Sequence, residues 1–252
     1  MFTRIIVGFL LLSSALLGEE NFILINGVTN EKIVELGTRI HERLSPRSTF
    51  KIALSLMGFD SGILKDETRP VWTFKEGYED FLDIWKEPQN PRSWMKNSCI
   101  WYSKLIASEL GLENFNTYLS KLNYGNQDAS GDYTDAWINN SLKISPSEQV
   151  NFIQNMVQEK LPVSTYAVQN TKDILFIEKL HNGWKLFGKT GWSGSRIKID
   201  EGKNEIGWFV GWIEKGDHFF AFAYNIINNQ VNLSERIPRV KQLLEESVLK
   251  RE

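Results

Sequence analysis

Serine and lysine occur several times in this chain with two residues between them, a spacing that can support nucleophilic catalysis. On a helix, such a pair lies on one face, with the hydroxyl and the amine one turn apart. Four pairs match, and they begin at Ser48, Ser93, Ser195 and Ser247. Only Ser48 opens a strongly apolar segment, so we select Ser48 and Lys51 as the candidate nucleophile and base.

The segment that follows Ser48 predicts a buried helix. Apolar residues occupy nearly every side of it between Phe50 and Met57, before two glycines end it. A serine at the start of that helix would benefit from the positive end of the helix dipole, and apolar packing would lower the pKa of Lys51. A neutral lysine can act as a base or attack carbon dioxide. The spacing alone also allows Lys51 to be a partly buried structural amine.

The composition of the chain argues against several other functions. The 29 basic residues are balanced by 31 acidic ones with no basic run, which argues against nucleic-acid binding. Cys99 is the only cysteine, so no disulfide within the chain and no multi-cysteine metal site can form. We expect Cys99 to be a small buried apolar residue rather than a reactive thiol, and we expect no bound metal. None of the three histidines is well placed for a Ser-His-Asp triad.

One segment matches the residue pattern of a nucleotide-binding loop but not the local structure that such a loop requires. Residues Gly183–Thr190 fit the phosphate-binding loop pattern. Such a loop must open a helix whose amide groups hold the phosphate. Here Trp184, Leu186 and Phe187 predict a strand, and glycines follow it. We therefore predict no nucleotide site.

The amino-terminal residues have the composition of an export signal. Arg4 supplies a positive charge, Ile5–Leu17 is apolar apart from two serines, and Gly18 precedes an acidic pair. This run of 13 residues is shorter than the roughly 20 needed to cross a bilayer. We expect residues 1–18 to be a signal peptide that directs the chain to the periplasm, with an uncleaved anchor as the alternative, and no stable membrane span elsewhere.

The rest of the chain predicts strands near both ends and helices between them. Phe22–Gly27 and Lys32–Leu36 read as two strands around a turn that contains Asn-Gly. The later strands are expected at Ile174–Ile177, Trp184–Phe187, Trp208–Ile213 and His218–Tyr224. A capping box at Ser145–Glu148 opens one helix, and the apolar face from Ile237 to Val248 marks the last.

This order of elements predicts the α+β class. Residues 19–252 should form one domain with a central antiparallel sheet built from both chain ends. Helices should flank the sheet in a three-layer, α/β/α-like arrangement. A helical subregion at about residues 64–160 would be inserted between the early and the late strands.

Four short motifs follow Ser48 in order along the chain. They are Ser98-Cys99-Ile100, Tyr124-Gly125-Asn126, the segment Trp137–Ser145, and Lys189-Thr190-Gly191 on a predicted strand. Together with Ser48–Lys51, this set resembles the class D (oxacillinase-type) serine β-lactamases of the penicillin-recognising fold. The resemblance covers essentially the whole chain after the signal segment.

The resemblance implies a catalytic role for five residues. It makes Ser48 the nucleophile that opens the lactam, and it makes Lys51 a lysine that carbon dioxide carboxylates to give the general base. The indole N–H of Trp137 would hold this carbamate. Ser98 would pass a proton to the lactam nitrogen, and Lys189 would supply positive charge.

The same resemblance places the substrate along the Lys-Thr-Gly strand. The expected substrate-binding residues are Tyr124, Thr190, Gly191, Trp192 and Arg236. Arg236 would receive the substrate carboxylate, although the sequence also allows a surface arginine on the last helix. The backbone amides of Ser48 and Trp192 would form the oxyanion hole, because preorganised donors stabilise a developing oxyanion.

The implied activity is hydrolysis of penicillin-type antibiotics, and hence antibiotic resistance, with no cofactor beyond carbon dioxide or bicarbonate. One residue departs from the family pattern, because Ile100 stands where the second motif usually has valine. The larger side chain should narrow the apolar wall expected near the carbamate.

A β-lactam sensor or penicillin-binding protein, which acylates without turnover, is one alternative function. An aromatic-rich module that binds sugar or peptidoglycan is another, and it would not need Ser48 near Lys51. The sequence leaves the oligomeric state and the preferred β-lactam subclass open.

Overall fold

A six-stranded sheet lies at the centre of the residues that the computed structural model describes, which are 18–139, 141–194 and 204–251. The strands are β1 Glu19–Asn26, β2 Lys32–Leu36, β3 Phe176–Lys179, β4 Lys185–Trp192, β5 Glu205–Lys215 and β6 His218–Asn228. They are ordered β2-β1-β6-β5-β4-β3, and every neighbouring pair is antiparallel. The sheet therefore joins early and late parts of the chain, which confirms the predicted α+β class.

Two of the predicted hairpins form around polar or glycine-containing turns. The side chain of Asn26 accepts hydrogen bonds from the amides of Val28 and Thr29 at 2.9 and 3.0 Å, which stabilises the turn between β1 and β2. Between β5 and β6, Gly216 has a φ of 57°, a conformation that glycine adopts without steric cost. Both turns lie where the sequence predicted them.

Seven α-helices accompany the sheet within the described residues. They are α1 Lys51–Asp60, α2 Pro91–Asn97, α3 Ile100–Lys121, α4 Ala136–Asn139, α5 Pro146–Val157, α6 Thr165–Leu175 and α7 Arg236–Ser247. The capping box predicted for α5 is confirmed. The Ser145 hydroxyl accepts from the amide of Glu148 at 3.2 Å, and the Glu148 carboxylate accepts from the amide of Ser145 at 2.9 Å. All α-helices except α7 lie between β2 and β3, and because α1 and α6 fall outside about residues 64–160, the inserted helical region is longer than predicted.

The sheet separates two apolar layers. Successive side chains of a strand point to opposite faces, and on β1 the neighbours Phe22 and Ile23 accordingly belong to different hydrophobic clusters. Helix α7 covers one face with Val240 and Leu244. The inserted helices cover the other face and contribute the larger cluster. The predicted three-layer arrangement is therefore confirmed.

Helix α1 lies deep in the larger layer. All of its residues except Asp60 are buried, because its sequence is apolar on nearly every side. It packs against α6 and α3. A short 3-10 turn, Arg47–Phe50, precedes it, so Ser48 lies one turn before the α-helix rather than inside its first turn.

One predicted strand begins later than expected. Ile174 and Leu175 are the last residues of α6 and are buried, whereas β3 starts at Phe176. The apolar spacing of Ala167, Val168, Ile174 and Leu175 continues one helical face, so these residues pack as part of α6. The strand starts where the chain first pairs with Phe187 of β4.

Some of the sequence predictions concern residues outside the described ones. The expected signal segment, apart from Gly18, and the pair Ser195–Lys198 both lie outside. Among the described residues, we find no helix with the length and apolar character needed to span a membrane.

Candidate active site

Ser48 and Lys51 lie where the 3-10 turn meets α1. Ser48 is the second residue of the turn and is half-buried, so part of the residue stays accessible. Lys51 is the first residue of α1 and has no exposed surface. The amide of Lys51 donates a hydrogen bond to the carbonyl of Ser48, which fixes the two residues relative to each other. The turn thus presents a hydroxyl next to a buried amine.

The surroundings of Lys51 disfavour its charged form. Burial lowers its pKa from an ordinary value of 10.5 to about 8. At pH 7 about one tenth of such amines are neutral, compared with fewer than about one in a thousand for an ordinary lysine. A neutral amine can accept a proton or attack a carbon electrophile. Lys51 is therefore suited to both reactions expected from the sequence.

Nζ of Lys51 and Nε1 of Trp137 are buried and have no hydrogen-bond partner among the described residues, and the same holds for the hydroxyl of Tyr124. Phe50, which precedes Lys51, stacks on the indole of Trp137 with ring centroids 5.0 Å apart and planes inclined by 21°. Buried polar groups nearly always have partners. A buried anionic group on Lys51 needs a donor, and the unpartnered indole N–H of Trp137 is one, so the chemistry of these residues fits the expected carbamate.

Ser98 and Lys189 are joined by a direct hydrogen bond. Nζ of Lys189 donates to Oγ of Ser98, and it also donates to the carbonyl of Thr190 at 3.1 Å. Ser98 ends α2 with φ 55° and ψ 31°, in the left-handed region. That conformation costs a residue other than glycine about 1–2 kcal/mol, and such strain concentrates at functional sites. The structure therefore brings the second motif to the Lys-Thr-Gly strand, as expected.

Three basic side chains influence one another at this site. Lys189 and Arg236 are 5% and 9% exposed. Burial lowers the pKa of Lys189 well below its ordinary value, and the charges of Lys51 and Arg236 lower it further. Burial also lowers the pKa of Arg236 to about 10, so this arginine remains charged at neutral pH. The charge that Arg236 keeps suits a carboxylate ligand, and its burial shows that it is not a surface arginine.

The end of β4 lies against the turn that carries Ser48. A Cβ atom added to Gly191 would lie 3.0 Å from the carbonyl oxygen of Pro46 and 3.3 Å from Cγ2 of Thr49. Glycine accommodates this close approach of two backbones without displacing either one. The carbonyl of Gly191 also accepts a hydrogen bond from Nη1 of Arg236 at 2.6 Å, which ties the arginine to the strand.

Thr190 and Trp192 flank Gly191 and are both half-buried. The indole N–H of Trp192 donates to the carboxylate of Glu205 at 2.9 Å. The ring of Phe81, which is 69% exposed, lies 6.4 Å from the Trp192 ring, centroid to centroid. These aromatic side chains form a partly exposed apolar rim beside the Lys-Thr-Gly strand.

Tyr124 does not line the site, which corrects one of the expectations from the sequence. It has no exposed surface, and its ring packs edge-on against Phe50 and Phe152 at centroid distances of 5.3 and 5.1 Å. Its hydroxyl lies beside Thr49 and Gln149. Tyr124 therefore supports the 3-10 turn from the protein interior, because its large ring packs between Phe50 and Phe152 and is not exposed to a substrate.

The residues around the second motif pack as the sequence predicted. Cys99 is buried, and burial raises the pKa of its thiol to about 11, so it is an unreactive apolar residue. Ile100 and Ile138 are half-buried and pack against the larger hydrophobic cluster. Within the part of the chain that the structure describes, no group of three or more His, Cys, Asp or Glu side chains could hold a metal ion.

Three residues that hold the site in place were not identified from the sequence. The hydroxyl of Ser45 donates to the carbonyl of Trp137 at 2.7 Å. Arg47 donates from Nη1 to the carbonyl of Ile138 at 2.5 Å. Glu205, which is 4% exposed, accepts from Trp192. Ser45 and Arg47 lie within three residues of Ser48, and that proximity is the one signal that could have drawn attention to them.

Comparison with known families gives one matching domain and several similar proteins. Residues 25–245 match the penicillin binding protein transpeptidase domain. β-Lactamase OXA-1 of Escherichia coli is 36% identical over 216 residues, which cover 82% of this chain and 76% of that protein. β-Lactamase OXA-9 of Klebsiella pneumoniae is 37% identical over 211 residues, which cover 80% of this chain and 76% of that protein.

Solved structures resemble this one over nearly the whole chain. The OXA-427 class D β-lactamase superposes with a TM-score of 0.85 at 38% identity, covering 92% of this chain and 99% of that chain. FUS-1 (OXA-85), a class D β-lactamase from Fusobacterium nucleatum subsp. polymorphum, gives a TM-score of 0.81 at 33% identity, covering 91% and 92%. The similarity therefore includes both the sheet and the inserted helices.

Proposed function

The chain belongs to the class D β-lactamases, and on that premise we propose that it opens the β-lactam ring through an acyl-enzyme on Ser48, with a carboxylated Lys51 as general base. The observation that carries this proposal is that Nζ of Lys51, three residues after the half-buried Ser48, and Nε1 of Trp137 are both buried without a hydrogen-bond partner among the described residues. The substrate is a β-lactam of the penicillin type.

Carboxylation of Lys51 begins with the neutral amine. Nζ attacks the carbon of carbon dioxide, an N–C bond forms, and one proton leaves to solvent, so that an anionic carbamate remains. The low pKa of Lys51 supports this step because it supplies neutral amine at physiological pH. An anion in an apolar site is costly without hydrogen bonds, and Trp137 offers the donor. The bound carboxylate group supplies general-base chemistry.

In acylation, Ser48 is the nucleophile. Its Oγ gives a proton to the base at Lys51 and attacks the lactam carbonyl carbon, and the amides of Ser48 and Trp192 stabilise the oxyanion. The lactam C–N bond then breaks, and the nitrogen takes a proton through Ser98. The hydrogen bond from Lys189 to Ser98 supports this role, because a donor to the serine oxygen makes the hydroxyl a better proton donor.

Deacylation uses the same base, with water as the nucleophile. A water molecule loses a proton to the base at Lys51 and attacks the ester carbonyl carbon, and Ser48 Oγ leaves with a proton, so that the open-ring acid is released. Lys189 and Arg236 hold the substrate carboxylate during both steps. Arg236 supports this assignment because it is buried and stays charged at neutral pH, and a desolvated charge contact is worth far more than an exposed one.

Turnover of a penicillin by the purified protein tests this proposal. We expect many molecules of penicillin to be hydrolysed by each protein molecule, and we expect Ser48→Ala to abolish hydrolysis while the protein stays folded. A single stoichiometric acylation without further hydrolysis would identify a sensor instead. Neither acylation nor hydrolysis would favour a non-catalytic binding module.

The proposal includes export to the periplasm. It is supported by the composition of residues 1–18, with one positive charge, an apolar run and a small residue before the acidic pair. Fractionation of bacteria that express the full chain should place the β-lactamase activity in the periplasmic fraction. Activity confined to the cytoplasm would contradict export.

A further inference from the structure

Arg47, the residue immediately before Ser48, is a buried arginine with an unusual backbone. It is 2% exposed, and its φ of 53° lies in the left-handed region that side chains other than glycine rarely adopt. Its Nη1 donates to the carbonyl of Ile138 at 2.5 Å, across 91 residues of sequence. Burial of a guanidinium and a left-handed backbone are both unfavourable, so the contacts that Arg47 makes must hold it in place.

A second hydrogen bond acts at the neighbouring peptide. The hydroxyl of Ser45 donates to the carbonyl of Trp137 at 2.7 Å. The carbonyl of Ser45 in turn accepts from the indole of Trp208 at 3.0 Å, which ties residue 45 to β5. Ser45 and Arg47, which directly precede or nearly precede Ser48 in the chain, therefore bind two consecutive carbonyls, those of Trp137 and Ile138.

From these contacts we propose that Arg47, assisted by Ser45, is a positioning residue that aims the indole N–H of Trp137 at Nζ of Lys51. This inference rests on the proposed carbamate at Lys51. Arg47 acts through the backbone of Ile138, and Ser45 acts through that of Trp137. It couples the position of the carbamate donor to the position of the nucleophile.

The indole of Trp137 is oriented by packing and by its main chain rather than by a hydrogen bond. Nε1 has no partner among the described residues. The rings of Phe50 and Phe115 lie 5.0 and 6.3 Å from the indole, centroid to centroid, and restrict its plane. The direction of the N–H within that plane depends on where the main chain places the residue. The backbone of residues 137 and 138 then sets that direction, and its two carbonyls are anchored by Ser45 and Arg47.

The charge of Arg47 strengthens this anchor. Burial lowers its pKa to about 10, so the guanidinium remains protonated at neutral pH. A charged donor forms a stronger hydrogen bond to a carbonyl than a neutral one does. The planar guanidinium also holds its donors in fixed directions, which a lysine does not.

The informative substitution is Arg47→Gly. Glycine favours the left-handed backbone of residue 47, so this variant removes the guanidinium without adding backbone strain. Arg47→Lys keeps a charged donor with a more flexible side chain, and Ser45→Ala removes the second anchor alone. The matched control is Arg43→Ala, which removes an arginine of the same segment that pairs at the surface with Glu148.

The measurement is the bicarbonate concentration that gives half-maximal penicillin turnover. We expect Arg47→Gly to raise it at least about fivefold, because loss of a charge-assisted hydrogen bond lets the indole reorient. Ser45→Ala should raise it about two- to threefold, since a neutral hydrogen bond is weaker, and Arg47→Lys should fall between wild type and Arg47→Gly. Arg43→Ala should match wild type. Saturating bicarbonate should restore most of the turnover of Arg47→Gly, which a merely structural loss would not allow.

The two proposals fail in different ways. A wild-type protein that does not respond to bicarbonate and gives no carbamate signal from ¹³C-labelled carbon dioxide would overturn the carbamate, and the role of Arg47 with it. The positioning role alone would be overturned if the wild-type protein responds to bicarbonate but the Arg47→Gly and Ser45→Ala variants need no more bicarbonate than wild type. If Arg47→Gly does not fold, Ser45→Ala and Arg47→Lys decide between these outcomes.

Discussion

Replacing Trp137 by phenylalanine would remove one hydrogen-bond donor from the site and keep most of the packing. The indole of Trp137 is 1% exposed and stacks on Phe50 at 5.0 Å, and a phenyl ring can keep that contact. The atom that is lost, Nε1, has no partner among the described residues. The substitution therefore acts on the carbamate of Lys51 rather than on a hydrogen bond within the chain.

The size of the effect follows from the charge of the group that the indole would hold. A hydrogen bond to a charged group is worth about 1.5–3 kcal/mol. Its loss should weaken carboxylation of Lys51 by roughly tenfold to a hundredfold. Because deacylation needs the base to activate water, the acyl-enzyme should accumulate when bicarbonate is limiting.

The assay is penicillin turnover in degassed buffer with added bicarbonate, for wild type and Trp137→Phe. We expect the half-maximal bicarbonate concentration to rise by the same roughly tenfold to hundredfold factor. Trp212→Phe is the control, because its indole donates to Glu214 and does not face Lys51. Equal bicarbonate requirements for wild type and Trp137→Phe, with thermal unfolding showing both folded, would refute this reasoning.

Three further predictions concern the charges and the packing of the site. Arg236→Ala should lower kcat/KM at least about tenfold, ~1.4 kcal/mol, because this arginine is 9% exposed and bound to Gly191. A loss below about threefold in steady-state kinetics would mean that Arg236 contributes no more than an exposed arginine does. Tyr124→Phe should leave KM within about twofold of wild type, since the ring is fully buried; a large rise in KM would restore Tyr124 to the substrate site. At a fixed, limiting bicarbonate concentration, activity should fall up to about tenfold for each pH unit below about 8. The reason is that carboxylation of the Lys51 ammonium by bicarbonate releases one proton. A pH profile that is flat between pH 6 and 8 would contradict the carbamate.

Much of the fold could be predicted from local patterns in the sequence. Short runs of apolar residues marked β1, β5 and β6, and the capping box at Ser145 marked the start of α5. The short strand β3 was placed two residues too early, since an apolar pair such as Ile174-Leu175 fits the end of a helix as well as a strand. Tertiary packing against α1 decides between them, and a local pattern does not contain that information.

The order of the motifs along the chain predicted most of the site residues, but it could not predict side-chain positions that depend on long-range contacts. Ser98 and Lys189 are 91 residues apart and share a hydrogen bond, and only the resemblance placed them together. Tyr124 was assigned to the substrate because its motif belongs to the family pattern, but a tyrosine beside a glycine gives no indication of which way its ring points. Arg47 was missed because a charged residue before Ser48 is expected at the surface.

The central claim is that a β-lactam becomes covalently bound to Ser48 during turnover, and mass spectrometry of protein quenched in the steady state tests it most directly. Ring opening keeps every atom of the substrate, so the protein should gain the full mass of one penicillin, and fragmentation of the labelled peptide should locate it on Ser48. Ser48→Ala should show no adduct. An adduct on Ser93, Ser195, Ser247 or Lys51, or continued hydrolysis by Ser48→Ala, would contradict the account.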